Sequence, residues 1–372
     1  MSVPIHTDGS VATAGPRSAL AFGERRGAVA AFLFAGVPLL VGLAIALALH
    51  LKVVLPELGT GASDVTRVIA VGELLDTPLE PGTVVFVGDS VSVEGIDARL
   101  VAEAAGPGAK VRNLAINGGN PTELTVLMPK VVAARPAKVV FTLRPRSLGE
   151  PIALDNDKAS AYALGGFAKA WPSGGEPWVT WKSPGMSEAA MEHVLASEFE
   201  AQRYFRTAVV NTINNTFRSK LRKGYVPMTP SDFESPAEMR LSLEGARLDK
   251  HISALVDEYT AAMKDGTSIG EGVVERLVAQ VRAGGSTPVI VLAPLHPQLL
   301  PAVVKAHPEM AAAVASWQAS LAEFAARMGK AYGAVVIDAS AALDESGFAD
   351  GQHPNEKGRA ALSRYVGSRL GS

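Results

Sequence analysis

The sequence predicts an α/β fold in which helices cover both faces of a parallel β-sheet. Short runs of apolar, often β-branched residues alternate along the chain with segments of helical spacing. Such runs are typical of strands buried on both faces, and their alternation with helices is typical of a parallel sheet. Polar, glycine-containing turns follow several runs, and sheets of this type carry their active sites beyond the carboxyl ends of the strands.

The composition narrows the classes of function that the chain can have. Its 372 residues suffice for one large catalytic domain or two small ones, and 48% of them are hydrophobic, so a sizeable core can be buried. The formal net charge of −2 argues against a nucleic-acid partner, which would require a basic surface. The absence of cysteine excludes a disulfide framework, a cysteine-ligated metal and a thiol nucleophile. We expect neither a cofactor nor a bound metal ion.

The amino-terminal part predicts a membrane anchor. Residues 1–26 are mostly small and polar, which favours a disordered tail. Residues 27–49 contain no charged side chain. A helix of about 23 residues is roughly 34 Å long, enough to cross a hydrocarbon core of about 30 Å. We therefore predict a transmembrane anchor at residues 27–51, through which the chain binds the lipid bilayer.

Two alternatives to a retained anchor stay open. The small residues around Ala46-Leu47-Ala48 match a signal-peptide cleavage pattern, although the apolar cores of signal peptides usually span only about 7–15 residues. The segment can also be a buried core helix of a soluble protein, but no polar face interrupts it.

The charges that flank the anchor predict its orientation. Arginines precede it at positions 17, 25 and 26, whereas only Lys52 closely follows it. The positive-inside bias therefore places the tail in the cytoplasm and the rest of the chain on the extracytoplasmic, periplasmic side of the inner membrane. Residues 52–79, which include Pro56, Gly59, Gly61 and Ser63, are predicted to link the anchor to a catalytic domain at 80–372.

Five strands account for the predicted sheet. They lie at residues 83–87, 110–116, 138–143, 288–293 and 334–338. Each is a short apolar run with valine or isoleucine, and the second is stopped by a strong turn signal at Asn117-Gly118-Gly119-Asn120-Pro121. Helical spacing predicts helices at residues 96–105, 123–134, 272–283, 309–332 and 355–370.

Residues from about 150 to 270 interrupt this rhythm. They show no strand–helix alternation, and their spacing predicts helices at about 187–221 and 237–263. We interpret the segment as a mostly helical insertion that caps or flanks the active site.

The sharpest local motif is Gly88-Asp89-Ser90, directly after the first strand. A tight turn from strand to helix can hold a serine hydroxyl at the carboxyl edge of the sheet. The serine N–H then lies near a helix start, where it can stabilise an oxyanion. On its own, the tripeptide favours the simpler alternative, in which Asp89 and Ser90 only cap a helix.

A second motif, Asp350-Gly351-Gln352-His353, lies between the fifth strand and the last helix. A histidine that deprotonates serine needs a carboxylate that fixes its tautomer and stabilises its imidazolium form. Asp350 and His353 can meet within one turn. The alternative is a helix cap by Asp350 beside a solvated His353. His296, after the fourth strand, can lie near the site or cap a helix.

A third motif is the turn at 113–120, after the second strand. Its glycines, Gly118 among them, allow backbone N–H groups to approach a substrate oxygen, and the side chain of Asn117 can add a donor. An ordinary strand-to-helix turn uses the same residue types.

Together the three motifs resemble the first, second and fifth sequence blocks of the SGNH (GDSL-like) hydrolases. The resemblance covers roughly residues 80–146 and 288–370. It implies a three-layer, flavodoxin-like α/β fold with a triad of Ser90 as nucleophile, His353 as base and Asp350 as the group that orients the base. It also implies an oxyanion hole that includes the N–H groups of Ser90 and Gly118.

The third block departs from that family. Its usual Gly-x-Asn-Asp supplies an asparagine donor, whereas this chain has Thr142-Leu143-Arg144-Pro145. Arg144 or Asn117 can replace the missing donor, or the oxyanion hole can be weaker. Arg144 can also bind an anionic group or pair with a carboxylate.

With the anchor, this departure is similar to a membrane-tethered subset of SGNH-like proteins that serve cell-envelope acylation. Alginate O-acetylation proteins and the D-alanine transfer protein of teichoic acids belong to it. The resemblance implies a serine O-acyltransferase or esterase that acts on acyl groups, acetyl above all, of a cell-envelope or secreted polysaccharide. It also implies a multispanning membrane O-acyltransferase as partner. The alternatives are a catalytically silent polysaccharide-binding or scaffold protein of an acylation complex, and a lipase or thioesterase.

Two features of the insertion suit ligands. Trp171, Trp178 and Trp181 can form a stacking surface for sugar rings or belong to a local core. A helical stretch without acidic residues can contact anionic lipid, an anionic polymer or a partner, or simply face solvent. Its basic residues are Arg203, Arg206, Arg218, Lys220, Arg222 and Lys223.

Overall fold

The computed structural model describes residues 32–50, 64–119, 121–149, 153–154, 180–181, 242–265 and 268–371. The chain divides into two compact units, Met1–Val54 and Leu55–Ser372. Each unit is described by itself below.

The first unit contains the apolar segment that the sequence predicts to be a membrane anchor. A π-helical turn (Phe32–Gly36) leads into α1 (Val37–His50), along which several large apolar side chains are exposed. Within the described ranges, no helix is both long enough and apolar enough to cross a membrane. Residues 27–31 and 51 of the predicted span lie outside those ranges, so the anchor stays a prediction.

The second unit is built on a parallel sheet of five strands. In chain order its strands are β1 (Val84–Val87), β2 (Val111–Asn113), β3 (Lys138–Leu143), β4 (Ala153–Leu154), β5 (Thr180–Trp181), β6 (Thr287–Leu292) and β7 (Val335–Asp338). The sheet has the order β2-β1-β3-β6-β7, and β4 and β5 form a separate parallel pair. This is the strand order of flavodoxin-like doubly wound sheets, in which the order reverses between the strands named β1 and β3 here.

Helices connect the strands and lie on both faces of the sheet. They are α2 (Asp64–Leu74), α3 (Ser90–Gly95), α4 (Ala98–Ala105), α5 (Pro121–Ala133), α6 (Pro145–Gly149), α7 (Ala246–Asp265), α8 (Ser268–Ala283), α9 (Leu299–Ala306), α10 (Ala311–Tyr332) and α11 (Glu356–Leu370). Short 3-10 turns at Pro308–Met310 and Glu345–Gly347 precede α10 and α11. The predicted α/β class with a helix-covered parallel sheet is therefore confirmed.

The continuous apolar runs of the strands follow from cores on both faces of the sheet. Val85 and Phe141 lie in a core with α2, α5, α8 and α10, whereas Phe86 and Val140 lie in a second core with α4 and α11. Successive residues of a strand face opposite sides, so every position after the first is buried in β1, β3 and β6. This double packing holds the carboxyl ends of β1, β3 and β6 together at one edge.

The second strand is shorter than the predicted 110–116, because β2 ends at Asn113. The Asn113 side-chain amide donates to the carbonyl oxygens of Ser92 and Ile96, each at 2.9 Å, and its Oδ1 accepts the N–H of Ala115 at 3.1 Å. These local side-chain bonds accompany the end of the strand, although the N–H groups of Leu114 and Ile116 still donate to the carbonyl oxygens of Phe86 at 2.8 Å and Gly88 at 3.0 Å.

Part of the predicted linker is a packed helix. α2 begins at Asp64 and buries Val68 and Val71 in the first core, and the Arg67 guanidinium donates to the carbonyl oxygen of Asn113 at 2.9 Å. The linker prediction for residues 52–79 therefore does not hold over this helix. The helical spacing of its valines and Leu75 is the signal that identifies it.

The structure describes only part of the predicted insertion. α7 covers most of the helix predicted at 237–263, and Trp181 lies in β5. The helix predicted at 187–221, the six basic residues, Trp171 and Trp178 lie outside the described residues. Their predicted roles stay predictions.

Gly367 allows α11 to approach α4 closely. A Cβ at this position would lie 2.5 Å from the carbonyl oxygen of Val101 and 2.8 Å from the Cβ of Ala104. We therefore expect Gly367→Ala to lower the free energy of unfolding by about 1–3 kcal/mol, the usual cost of overpacking a core. Urea denaturation measures this change.

Gly272→Ala is the matched control for that substitution. Gly272 lies inside α8, and a Cβ there would have no atom within 4 Å. Alanine at this position should leave the free energy of unfolding unchanged or raise it by up to about 1 kcal/mol. Equal stability of the two variants would contradict the close contact of α11 with α4.

Candidate active site

Ser90 opens the short helix α3 at the carboxyl end of β1. The chain leaves the strand at Gly88, where a Cβ would lie 2.4 Å from Ser92 Oγ. Asp89 caps the helix, since its Oδ1 accepts the N–H of Val91 at 2.9 Å. Ser90 itself is half-buried, so the turn both caps the helix through Asp89 and presents the serine hydroxyl at the edge of the sheet.

Asp350 and His353 lie in the loop between β7 and α11. Asp350 Oδ1 accepts the N–H groups of Gln352 and His353, each at 2.9 Å. Asp350 Oδ2 lies 2.9 Å from His353 Nδ1. His353 is only 3% exposed, so the alternative of a solvated histidine is wrong, although Asp350 does bond the local backbone.

The structure brings Ser90 to His353 across 263 positions of sequence. The Oγ of Ser90 lies 2.9 Å from Nε2 of His353. Because Nδ1 faces a carboxylate, the favoured tautomer carries its proton on Nδ1 and leaves Nε2 to accept the hydroxyl proton. Hydroxyl, imidazole and carboxylate thus form one chain of hydrogen bonds, the geometry that an activated serine requires.

The carboxylate of Asp350 stays ionised in spite of its burial. Burial raises the pKa of Asp350, but the hydrogen bond and charge attraction of His353, with the backbone N–H groups of Gln352 and His353, outweigh this effect. Together they hold the pKa well below its ordinary value of 3.8. A carboxylate that is charged at neutral pH can stabilise the imidazolium that forms when the serine loses its proton.

The nearest candidate donor for an oxyanion is the backbone N–H of Ser90 itself. Within the described part of the chain, the N–H of Ser90 has no acceptor, so it is available to an oxyanion. The turn that carries Asn117 and Gly118 contacts the loop between β1 and α3, since the N–H of Ile116 donates to the carbonyl oxygen of Gly88 at 3.0 Å. Gly118 is exposed with a φ of 62°, and Asn117 is half-buried. Their action as oxyanion donors stays a prediction.

Arg144 occupies the loop after β3, where the resemblance leads one to expect an asparagine. The side chain is 4% exposed, and its guanidinium forms an ion pair with Asp89. Its Nη1 lies 2.5 Å from Gln352 Oε1 and 3.5 Å from the hydroxyl of Tyr259. Of the roles considered for Arg144, pairing with a carboxylate is the one that the structure contains. The sequence predicts no role for Gln352. Its partner Arg144 lies 208 positions away, and no local motif signals a contact over that separation.

Helix α7 of the insertion packs against the loop of the candidate base. His251 Nδ1 accepts the N–H of Gly351 at 3.2 Å, and its Nε2 lies 4.0 Å from Asp350 Oδ2. A Cβ on Gly351 would lie 2.5 Å from Leu255 Cδ1. Helix α7 therefore flanks the candidate site, and the role of the rest of the insertion stays a prediction. Nothing in the sequence around His251 distinguishes it from other helical residues.

The candidate residues gather where the strand order of the sheet reverses. Ser90 follows β1 and Arg144 follows β3, and these two strands are neighbours in parallel register. In doubly wound sheets the connections leave this point in opposite directions, which opens a crevice at the carboxyl ends of the strands. The site therefore lies where the topology provides room for a ligand.

His296 lies after β6 and before Gln298, the residue that caps α9 without a side-chain hydrogen bond. Its Nδ1 accepts the N–H of Gln298 at 3.2 Å, and its ring packs edge-on against Phe348 with centroids 5.3 Å apart. The side chain of His296 thus bonds the loop before the helix, and its two predicted roles stay predictions. Burial lowers the pKa of His296 from its ordinary value of 6.5, against the opposing effect of Glu345 and Asp350.

Comparison with solved structures finds distant likenesses. No family model and no curated protein matches the chain. A crystal structure of a proposed acylhydrolase from Bacteroides fragilis NCTC 9343 is similar at 12% identity and a TM-score of 0.36, over 81% of this chain and 93% of that chain. What the candidate site can do follows from its own geometry.

The lowered pKa of His296 predicts a pH dependence of stability. The imidazole of His296 binds a proton more weakly in the folded protein than in the unfolded chain. Above the ordinary pKa of 6.5 the imidazole is neutral in both states and the free energy of unfolding is at its full value. As the pH falls below 6.5, protonation favours the unfolded chain and the free energy of unfolding declines. Between about pH 7 and about pH 5, we expect the free energy of unfolding to fall less in His296→Gln than in the wild type. Urea denaturation across that range measures both slopes, and identical slopes would contradict the prediction.

Proposed function

We propose that the chain is a serine esterase or acyltransferase that works through an acyl-enzyme on Ser90. The observation that carries the proposal is the unbroken chain of hydrogen bonds from Ser90 Oγ through His353 to the ionised Asp350. A serine beside an imidazole that a buried carboxylate orients is the arrangement of activated serine nucleophiles.

In the first half-reaction, Ser90 Oγ attacks the carbonyl carbon of an ester while His353 Nε2 takes the hydroxyl proton. The carbonyl oxygen becomes an oxyanion, and the N–H of Ser90 donates to it. The bond to the leaving alcohol then breaks, and His353 returns its proton to that alcohol. Asp350 stabilises the imidazolium between these two proton transfers.

In the second half-reaction, an acceptor hydroxyl attacks the acyl carbon of the ester on Ser90. His353 removes the proton of this hydroxyl and then delivers it to Ser90 Oγ as the ester bond breaks. Water as acceptor gives hydrolysis, and a sugar hydroxyl gives transfer. The same residues serve both outcomes, so the access of the acceptor to the site decides between them.

The proposed substrates are acyl groups, acetyl above all, on a cell-envelope or secreted polysaccharide. The resemblance to membrane-tethered SGNH-like proteins supports this choice, and so does the predicted anchor at residues 27–51 with arginines on its amino-terminal side. The proposal therefore includes an extracytoplasmic domain on the inner membrane and a multispanning O-acyltransferase as partner.

Removal of either end of the hydrogen-bond chain should abolish turnover. We expect Ser90→Ala and His353→Ala each to lower kcat for p-nitrophenyl acetate by at least about 10³-fold, because members of such a triad act as a unit. Ser320→Ala is the matched control, since Ser320 is half-buried on α10 and its hydroxyl donates to the carbonyl oxygen of Ser316 within the same helix. Full activity in a folded Ser90→Ala protein would end the proposal and favour a scaffold role.

Transfer and hydrolysis can be separated by adding an acceptor. With a neutral oligosaccharide present, a transferase should divert acetyl groups from water to sugar hydroxyls, and the released acetate should fall as acetylated sugar rises. Mass spectrometry of the oligosaccharide measures the transfer, and Ser90→Ala should abolish it. Unchanged acetate release with no acetylated sugar would assign the chain to the esterases.

A further inference from the structure

We propose that Arg144 is a positioning residue that fixes the distance between two loops. The nucleophile loop, residues 88–90, follows β1 and carries Ser90. The base loop, residues 349–355, precedes α11 and carries His353. The inference rests on the proposed function of Ser90 and His353. It assigns a role to the residue that stands where related blocks carry an asparagine, and this role differs from that of an oxyanion donor.

The first arm of Arg144 reaches the nucleophile loop. Its Nη2 donates to Asp89 Oδ2, and the other carboxylate oxygen of Asp89 accepts the N–H of Val91. One carboxylate thus joins the guanidinium to the first turn of the helix that begins at Ser90. Asp89 and Arg144 are both buried, and water competes poorly for such a charge-assisted pair.

The second arm reaches the base loop. Nη1 of Arg144 lies 2.5 Å from Gln352 Oε1, and the backbone N–H of Gln352 donates to Asp350 Oδ1 at 2.9 Å. Gln352 therefore connects the guanidinium to the carboxylate that orients His353. Its side chain contacts Arg144, and its backbone N–H contacts Asp350.

Two further contacts fix Arg144, one at its backbone and one at its guanidinium. The N–H of Arg144 donates to Ser147 Oγ at 3.1 Å, which fixes the backbone after β3. The hydroxyl of Tyr259 lies 3.5 Å from Nη1, and the ring of Tyr259 packs edge-on against Trp317 with centroids 5.6 Å apart. A planar group fixed in this way can set the distance between two loops.

The geometry favours positioning over direct donation to substrate. Each terminal nitrogen of Arg144 already points at a side-chain oxygen of a different loop, Asp89 or Gln352. Ser90 and His353 are carried by those same two loops. A displacement of about 1 Å between reacting groups can cost about 10²-fold in rate, so a rigid link between the loops has a direct effect on turnover.

The test compares three substitutions with the wild-type chain. Arg144→Met removes both arms, Arg144→Lys keeps the charge without the two-nitrogen fork, and Gln352→Leu removes one arm while keeping the pair with Asp89. Arg146→Met is the matched control, because Arg146 pairs with Glu258 at 2.5 Å instead. A second control, Gln298→Leu, removes a glutamine that bonds Glu345.

The measurements are kcat and KM for p-nitrophenyl acetate, and hydrogen–deuterium exchange at residues 88–95 and 349–355. We expect kcat to fall about 10²-fold in Arg144→Met and less in Arg144→Lys and Gln352→Leu, with KM nearly unchanged. Added methylguanidinium should restore part of the activity of Arg144→Met. Exchange should become faster in both segments of all three variants, and the controls should match the wild type.

Three results would contradict either the positioning role of Arg144 or the proposed function of Ser90 and His353. Wild-type kcat and exchange in folded Gln352→Leu, with the same result for any Arg144 variant that folds, would remove the positioning role. Loss of kcat in Arg144 variants alone, with Gln352→Leu fully active, would indicate direct donation to substrate and would also remove it. If turnover does not depend on Ser90, the proposed function fails, and the exchange rates alone decide whether Arg144 links the two loops.

Discussion

The hydrogen bond between Ser90 Oγ and His353 Nε2 is the contact on which the proposed chemistry depends. It joins loops that are 263 positions apart, so it forms only when β1 and the chain after β7 end at the same edge of one sheet. The parallel arrangement of the strands meets this condition, since every connection returns across a face and every strand ends on the same side. The apolar runs that build the sheet are therefore also what assembles the site.

Buried charges then fix what the sheet brings together. Asp350 receives two backbone N–H groups and the ring of His353, and Asp89 receives Arg144. Each charge is hydrogen-bonded, which offsets the cost of removing it from water. In such surroundings polar contacts are strong and directional, so the serine, the imidazole and the carboxylate keep their geometry without help from a ligand.

Local patterns made part of this arrangement predictable. β3 has the predicted bounds. Ser90 lies in a short polar motif directly after an apolar run, and Asp350 and His353 share a short polar motif between the last strand and the last helix. The linker prediction for residues 52–79 rests on Pro56, Gly59 and Gly61, and it extends over the helix α2 that follows them. The contact of Arg144 with Gln352 escaped prediction because 208 positions separate the two residues, and no local periodicity reports a contact that only the fold creates.

Reaction of the folded protein with a fluorophosphonate probe, followed by peptide mapping, tests the central claim most directly. An activated serine reacts with such a probe, whereas an ordinary surface hydroxyl does not. We predict one adduct, on Ser90, that disappears in His353→Ala and after unfolding in urea. A folded wild-type protein that carries no adduct on Ser90 would contradict the assignment of this serine as the nucleophile.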